Sequence, residues 1–445
     1  NDGSWIKTIL DGDRDLVQAV IGKGPPRFEL ITQTLSCSMA HFNLNANHRF
    51  AESVPDLIPA DLLMRQDSFD YNLSAYSGER EVEEQVFSPT PRQPCIKHDF
   101  CFNKDEFDKA DTYVFSWLGV VENLTAGPEM EKKTVAKINE LLRHGKRVIF
   151  VSNISYWSHD EFADKVVNKG INMTKETALK NVLNTAHTAA WLLKKNNRQK
   201  PFVICSEKGL LDELRAAGIT QYTATICDDG TEKEEFLGKA TAENVMKLIK
   251  ENDGVDSVVV GWDQHLTVLK VAVASNYIGW NCTEQPPQLT SFGSSVNFGD
   301  NQGVLVVTCS SDCNGILGIS PETYLPEKNF NGKPIMTPGN GSMAGLLAVQ
   351  DTNQVSRGNL GVAFDVGKPS LIMIKALEEQ CGVEMQTAVV IGDSLETDIE
   401  WAVKGGMKSL LVLSGRTTAQ MAKRMEAETY EGAIPTWVLN SLADF

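Results

Sequence analysis

From residue 108 onward, short apolar runs alternate with stretches of helical periodicity. The runs "TYVF", "KRVIFVSN", "TAVVIGDS" and "SLLVLSG" have strand length, and "EKKTVAKINELLRHG" and "SLIMIKALEEQCG" show the spacing of amphipathic helices. Continuous apolar strands separated by helices are typical of parallel sheets that are buried on both faces. The pattern therefore predicts an α/β fold with a doubly wound parallel sheet.

The strand–helix rhythm occurs near both ends of this region, with a further set of strand and helix candidates between them. We predict a Rossmann-like core built from residues 108–177 and 346–445, with an α/β cap domain inserted at 178–345. Residues 1–107 form an N-terminal extension that holds 7 of the 17 prolines. Its prolines and its lack of sustained apolar periodicity favour a docking arm for other protein subunits over an independent core.

Composition excludes several classes of protein. The chain has 42 basic and 58 acidic residues, a formal charge of −16, and no run of Lys or Arg, which argues against nucleic-acid partners. No apolar stretch reaches the ~18 residues that a membrane span needs. Nine dispersed cysteines favour a reducing, intracellular compartment, and Cys309 and Cys313 are interpreted as buried small side chains rather than a metal pair.

The compartment is predicted from the start of the chain. Residue 1 is Asn and no signal-peptide pattern follows it, so we expect the sequence to begin after a removed leader. A long extension with such a start favours an imported mitochondrial subunit, with the cytoplasm as the alternative.

The stretch "VVIGDSLETDIEWAVKGG" carries the clearest chemical signal. Asp393 and Asp398 lie five residues apart, at the end of a predicted strand and the start of a helix. Two carboxylates at the carboxyl end of a parallel strand suit a hard cation such as Mg²⁺, with one as ligand and one in support. The alternative from spacing alone is an Asp that caps a helix.

This stretch, together with "VSNIS" (151–155), "VVVGWDQHLTVLKVAVA" (258–274), "PGNGSM" (338–343) and "GKPS" (367–370), resembles the haloacid dehalogenase superfamily. The branch it is most similar to is the 4-nitrophenylphosphatase/phosphoglycolate phosphatase family, relatives of the NagD phosphatases. The resemblance covers about residues 108–445 and leaves out the extension. It implies a Mg²⁺-dependent phosphatase fold with a cap.

The resemblance also implies where catalysis would occur. In the family the first strand ends in Asp-x-Asp-Gly-Val, where the first Asp attacks the phosphoryl group and the second handles the leaving-group proton. The corresponding stretch here is "FSWLGV", which places Ser116 at the nucleophile and Leu118 at the acid/base position. Both working carboxylates are missing.

Other motif positions are retained unevenly. Ser152, with Asn153 beside it, matches a phosphate-binding hydroxyl, and Lys368 matches the phosphate-clamping lysine. Asp393 and Asp398 match the magnesium-side acids, of which Asp393 would be left as the main charged ligand. Ile154 replaces an Asn of the family motif, and in the cap stretch "VVTCSSD" only Asp312 matches. Lys368 and Ser152 also have structural interpretations, as a surface lysine and a strand-end hydroxyl.

Three functions remain open. The leading hypothesis is a catalytically inactive phosphatase fold that serves as a structural or interaction subunit, without a cofactor or with weakly held Mg²⁺. The second is an active Mg²⁺-dependent phosphatase on a small phosphate ester with an altered nucleophile. The third is a phosphate or nucleotide sensor that uses Lys368 and strand-end amides.

Overall fold

The computed structural model describes residues 101–123, 127–280, 304–319, 334–350, 363–426 and 432–444. All of them belong to one compact unit, Pro94–Phe445. The predicted docking arm up to residue 100 lies outside the described residues.

Strands in the described part of the chain are short, and many are enriched in β-branched and aromatic residues, as expected for segments that pack on two faces. In chain order they are β1 (Thr112–Ser116), β2 (Arg147–Ser152), β3 (Val182–Asn184), β4 (Pro201–Ile204), β5 (Thr223–Ala224), β6 (Ser257–Val260), β7 (Leu305–Thr308), β8 (Asn314–Ile319), β9 (Pro334–Pro338), β10 (Ala363–Asp365), β11 (Ala388–Gly392), β12 (Lys408–Val412) and β13 (Trp437–Leu439).

Helices follow most of the strands and begin at recognisable capping residues. Ser158 and Glu161 form a capping box at the start of one helix, and Asn184, Thr241 and Ser370 cap three others with their side chains. Among the described residues, the α-helices are α1 (Lys104–Phe107), α2 (Pro128–Arg143), α3 (His159–Asn168), α4 (Lys175–Leu179), α5 (Thr185–Lys195), α6 (Gly209–Ala216), α7 (Ala242–Glu251), α8 (Val268–Trp280), α9 (Asn340–Gln350), α10 (Leu371–Cys381), α11 (Glu400–Lys404) and α12 (Ala419–Ala422).

The first sheet, which we refer to as the core, contains six described strands, all parallel, in the order β13-β12-β11-β1-β2-β3. Strands β1 and β11 lie at its centre, with Phe115 level with Ile391, and all five residues of β1 are buried. One apolar cluster contains Phe115 and Phe150, and a second contains Val114 and Ile149. The predicted doubly wound parallel sheet is confirmed.

The second sheet, which we refer to as the cap, contains five parallel strands in the part of the chain that the structure describes, in the order β10-β7-β6-β4-β5. An antiparallel pair, β8 and β9, follows β7 in the chain. The cap has its own apolar clusters, in which Val203 and Val307 lie in one and Val258 lies in another. The predicted inserted α/β cap is present.

The strand pairing places both boundaries between the core and the cap later in the chain than predicted. Strand β3 at 182–184 pairs with β2 and belongs to the core, although we predicted that the cap begins at residue 178. Strand β10 at 363–365 pairs with β7 and belongs to the cap, although we predicted that the core resumes at residue 346. Local patterns identify strands, but only the hydrogen-bonding partner assigns a strand to a sheet.

The end of the predicted extension also packs on the core. Cys101 forms a parallel bridge to Val438, and the rings of Phe102 and Phe107 lie 6.2 and 5.9 Å from that of Trp437. Phe107 is fully buried. The boundary predicted at residue 107 therefore lies at least seven residues too late in the chain. In the described part of the chain, no helix is long and apolar enough to cross a membrane.

Candidate functional site

The candidate site lies at the carboxyl edge of the core sheet, where β1 and β11 end side by side. Such an edge is where ligands bind in open α/β sheets. Ser116 ends β1, and its hydroxyl donates a hydrogen bond to the Leu118 carbonyl at 3.3 Å. The chain then turns at Gly119, which has a φ of +86°. Ser116 is 4% exposed, whereas Leu118 is 42% exposed.

Lys368 connects Ser116 to one of the two predicted acids. Its ammonium Nζ lies 2.8 Å from Ser116 Oγ and 2.6 Å from Asp398 Oδ1. Lys368 and Asp398 are 3% and 1% exposed, so the ion pair is shielded from water. The interpretation of Lys368 as a surface lysine is therefore wrong.

Asp398 also organises the turn after β11. Its Oδ2 accepts the backbone N–H groups of Asp393 at 3.0 Å and Ser394 at 3.2 Å. Gly392 allows this approach, because a Cβ there would overlap the Asp398 side chain. With both of its oxygens engaged, Asp398 acts as a counter-ion for Lys368 and as a brace for the loop.

Asp393, the predicted main metal ligand, lies against the turn after β1. Its Oδ2 accepts the backbone N–H of Arg416 at 2.7 Å, and a Cβ at Gly119 or Gly415 would overlap its carboxylate. Burial, followed by the negative charge of Asp398, raises the pKa of Asp393 to about 7. This shift favours the protonated form of Asp393 more than in an exposed aspartate.

These residues do not fit a Mg²⁺ ion well. A Mg²⁺ site in proteins is built on carboxylate oxygens, supplemented by water. Here the end of β1 supplies a hydroxyl at Ser116, and the turn after it supplies a hydrocarbon at Leu118. The carboxylate of Asp398 is neutralised by Lys368. No group of three or more His, Cys, Asp or Glu side chains suited to a metal occurs among the described residues.

Ser152 and Asn153, at the end of β2, have different surroundings. Ser152 is buried, and its hydroxyl accepts the Ile154 N–H at 3.4 Å, which agrees with a strand-end hydroxyl bonded to backbone. Asn153 clamps the backbone of Lys368, accepting its N–H at 2.7 Å and donating to its carbonyl at 3.0 Å. Asn153 therefore helps to position Lys368.

Sequence reasoning did not identify Arg416. It lies in the loop after β12, where its backbone supports Asp393 and its guanidinium reaches Asp312 of the cap at 3.4 Å. A charged residue just beyond a predicted parallel strand, in "LVLSGRTT", was the available signal. The same edge-of-sheet argument that identified Asp393 applies to it.

Two family models match the chain, one in each segment that contributes to the core. The model described as haloacid dehalogenase-like hydrolase matches residues 114–220. The model described as HAD-hydrolase-like matches residues 365–445.

Several curated proteins are similar over most of their length. Phosphoglycolate phosphatase 1A, chloroplastic, of Arabidopsis thaliana is 26% identical over 346 residues, which cover 77% of this chain and 78% of that protein. The 4-nitrophenylphosphatase of Schizosaccharomyces pombe is 26% identical, with 76% and 94% covered. Human chronophin is 24% identical, with 77% and 94% covered.

Solved structures share the fold. NagD from Escherichia coli K-12 aligns with a TM-score of 0.50 and 16% identity, covering 76% of this chain and 98% of that one. The hypothetical protein PH1952 from Pyrococcus horikoshii OT3 aligns with a TM-score of 0.50 and 19% identity, covering 75% and 97%.

Proposed function

Because the chain belongs to the haloacid dehalogenase-like hydrolases, in their NagD-like branch, we propose that it is a phosphatase-like protein without phosphoryl-transfer activity. In this proposal it serves as a structural or interaction subunit of a larger assembly. A fold can persist without its chemistry, because the packed core does not depend on the reacting groups.

The observation that carries the proposal is the end of β1. Ser116 and Leu118 stand where the family resemblance implies a nucleophile and an acid/base carboxylate. The hydrocarbon of Leu118 cannot transfer a proton, and removal of a catalytic nucleophile typically lowers the rate by about 10⁶-fold. Because these residues act as a unit, retention of Lys368 and Asp398 does not compensate for the loss.

Ser116 is not activated as an alternative nucleophile. A serine needs an adjacent base to accept its proton. The nitrogen beside Ser116 Oγ is the Lys368 ammonium, which is paired with the carboxylate of Asp398 and acts as a hydrogen-bond donor. The Ser116 hydroxyl itself points to the Leu118 carbonyl, which is not a base.

Two other functions have some support. Relatives named as phosphatases, together with the buried Lys368–Asp398 pair, favour an active phosphatase on a small phosphate ester as the second candidate. The retained lysine also supports a phosphate or nucleotide sensor. Activity measurements separate the second candidate from the others, and ligand titration separates the sensor.

The partner and the compartment are part of the same proposal. We place the contact with other protein subunits in residues 1–100, where apolar groups such as Phe28, Leu57 and Leu62 would be the anchors. The proposed compartment is the mitochondrion. A native-extract pull-down of the full chain, with the mass of the complex measured, tests the assembly.

Turnover of 4-nitrophenyl phosphate and phosphoglycolate with Mg²⁺ tests the loss of catalysis. We expect no turnover above the blank, with the Schizosaccharomyces pombe 4-nitrophenylphosphatase as a positive control for the assay. Turnover faster than about 1 s⁻¹, within the ordinary range of enzymes, would contradict the proposal and favour the altered-nucleophile phosphatase.

A further inference from the structure

Asp312 of the cap receives hydrogen bonds from two loops of the core. It lies in the loop after β7, and its Oδ2 accepts the Asn153 side-chain amide at 3.0 Å. Its Oδ1 lies 3.4 Å from the Arg416 guanidinium. The Ser310 hydroxyl, in the same cap loop, donates to Oδ2 at 2.9 Å. One carboxylate therefore joins the cap to the loops that follow β2 and β12.

Both core partners of Asp312 also support the buried polar site. Asn153 holds the backbone of Lys368 at its N–H and its carbonyl. Arg416 holds the carboxylate of Asp393 through its backbone N–H. Asp312 is thus linked to Lys368 through Asn153 and to Asp393 through Arg416.

The cap loop that carries Asp312 is itself held in place. The Asp312 carbonyl accepts the Gly341 N–H at 2.9 Å, and the Cys313 carbonyl accepts the Gly339 N–H at 2.8 Å. A Cβ at Gly339 or Gly341 would overlap the backbone of this loop. The start of α9 therefore fixes the direction from which Asp312 approaches the core.

We propose that Asp312 is an internal latch that holds the cap closed and excludes anions from the carboxyl edge of the core. A side-chain amide and a guanidinium are the donors that an incoming phosphate would use. Here they are bound to a carboxylate of the same chain, which adds a negative charge where the anion would lie. The latch acts on ligand entry and does not depend on whether the protein is inactive.

The first test replaces Asp312 with Asn, which has nearly the same shape and no charge. Full-length protein is titrated calorimetrically with inorganic phosphate. We expect D312N to bind phosphate at least about tenfold more tightly than the parent, because a like charge near the site is removed. The control is D229N, a neutral variant of an exposed cap aspartate that is bonded to Thr231. It should match the parent.

The second test measures opening of the cap without any ligand. The Trp262 backbone N–H of the cap donates to Ser155 Oγ of the core at 3.1 Å, so its hydrogen exchange reports on this contact. We expect about fivefold faster exchange in D312N and in R416Q, since each loses a bond of the latch. The double variant should exchange no faster than D312N alone, because the two residues act together.

The hydrogen exchange of Trp262 and the phosphate affinity decide the proposal. Unchanged Trp262 exchange in both variants, or additive effects in the double variant, would overturn the latch. Phosphate affinity of D312N equal to that of the parent would overturn the exclusion of anions. If D312N fails to fold, as judged by circular dichroism, R416Q alone decides through Trp262 exchange.

Discussion

Lys368 is the residue on which the buried polar site most depends for stability. Its ammonium is the cation that compensates the buried Asp398 carboxylate. We expect Lys368→Met to lower the free energy of unfolding by about 3–5 kcal/mol, because it leaves an unpaired charge inside the protein. Urea unfolding measures this change.

The matched control is Lys375→Met, which removes an exposed lysine paired with Glu378. Exposed pairs contribute about 0–1 kcal/mol, so this variant should unfold nearly like the parent. Equal and small effects of the two substitutions would show that the Lys368–Asp398 pair is not desolvated in solution.

Ser116 and Leu118 define a second prediction at the residue scale. The double substitution Ser116→Asp and Leu118→Asp introduces two acidic groups at the end of β1 and in the turn that Asp393 lies against. We expect measurable Mg²⁺ binding by calorimetry, because hard cations bind clustered carboxylates. Turnover should recover far less, since the altered cap loop and the latch at Asp312 remain. Mg²⁺ binding no better than that of the parent would mean that the remaining acids are not arranged as in an active family member.

At the element scale, helices α3, α5 and α6 meet through a buried carboxylate. Glu213 of α6 accepts the His159 backbone N–H at the start of α3 and the Nδ1 of His187 at 2.7 Å. The two imidazole rings lie 4.4 Å apart. The carboxylate therefore joins a cap helix to the N-terminus of a core helix. The positive end of the helix dipole favours the charged form of Glu213.

This junction contributes stability that is lost in acid. Burial, followed by the charge of His187, lowers the pKa of His159. Burial raises the pKa of Glu213, but the hydrogen bonds and charges of His187 and His159 together outweigh it, so the net shift is downward. Glu213 and Asp160 also face His159 and partly oppose its shift. The folded state thus binds fewer protons than the unfolded chain at both groups, and their contribution to stability rises with pH.

The expected window begins where unfolded histidine titrates, near pH 6.5, and extends downward. The raised pKa of Asp393 acts in the opposite sense over part of this range, so the junction is tested as a difference between variants. As pH is lowered, the melting temperature of the parent should fall relative to that of His159→Gln. His144→Gln, at the exposed end of α2, is the control and should keep the parent's profile. If the melting temperature changes with pH identically in H159Q and in the parent, His159 is not the cause.

At the scale of the whole molecule, the boundary of the extension can be tested by two truncations. Deletion of residues 1–93 retains the chain from Pro94, where the compact unit starts. Deletion of residues 1–107 also removes Phe102 and Phe107, which pack on Trp437. Since a buried large apolar side chain contributes roughly 1.5–3 kcal/mol, we expect only the longer deletion to lower the melting temperature markedly.

The same pair of truncations tests the docking arm. Both proteins should lose the partner that the full chain captures from native extract. If the shorter deletion retains the partner, the contact lies in the core or the cap, and the docking hypothesis is wrong. If it aggregates, the extension belongs to the protein's own packing.

The sequence by itself determined the fold class and most of the polar positions. Strand-length apolar runs such as "TYVF" and the 3.6-residue period of α2 are local properties, so they can be recognised without knowing which strands pair. The edge-of-sheet position of Asp393 follows from residues adjacent in the chain, whereas the interpretation of Ser116 and Leu118 rests on the family resemblance.

Only the tertiary structure decided which residues act together. Lys368 and Asp398 lie 30 residues apart, and Lys368 and Ser116 lie 252 apart. Asp312 and Arg416, 104 residues apart, meet because two separately patterned sheets pack with their loops facing. The sheet membership of β3 and β10 was mispredicted for the same reason. A local pattern shows that a segment needs a partner, but the partner is chosen by packing across the whole chain.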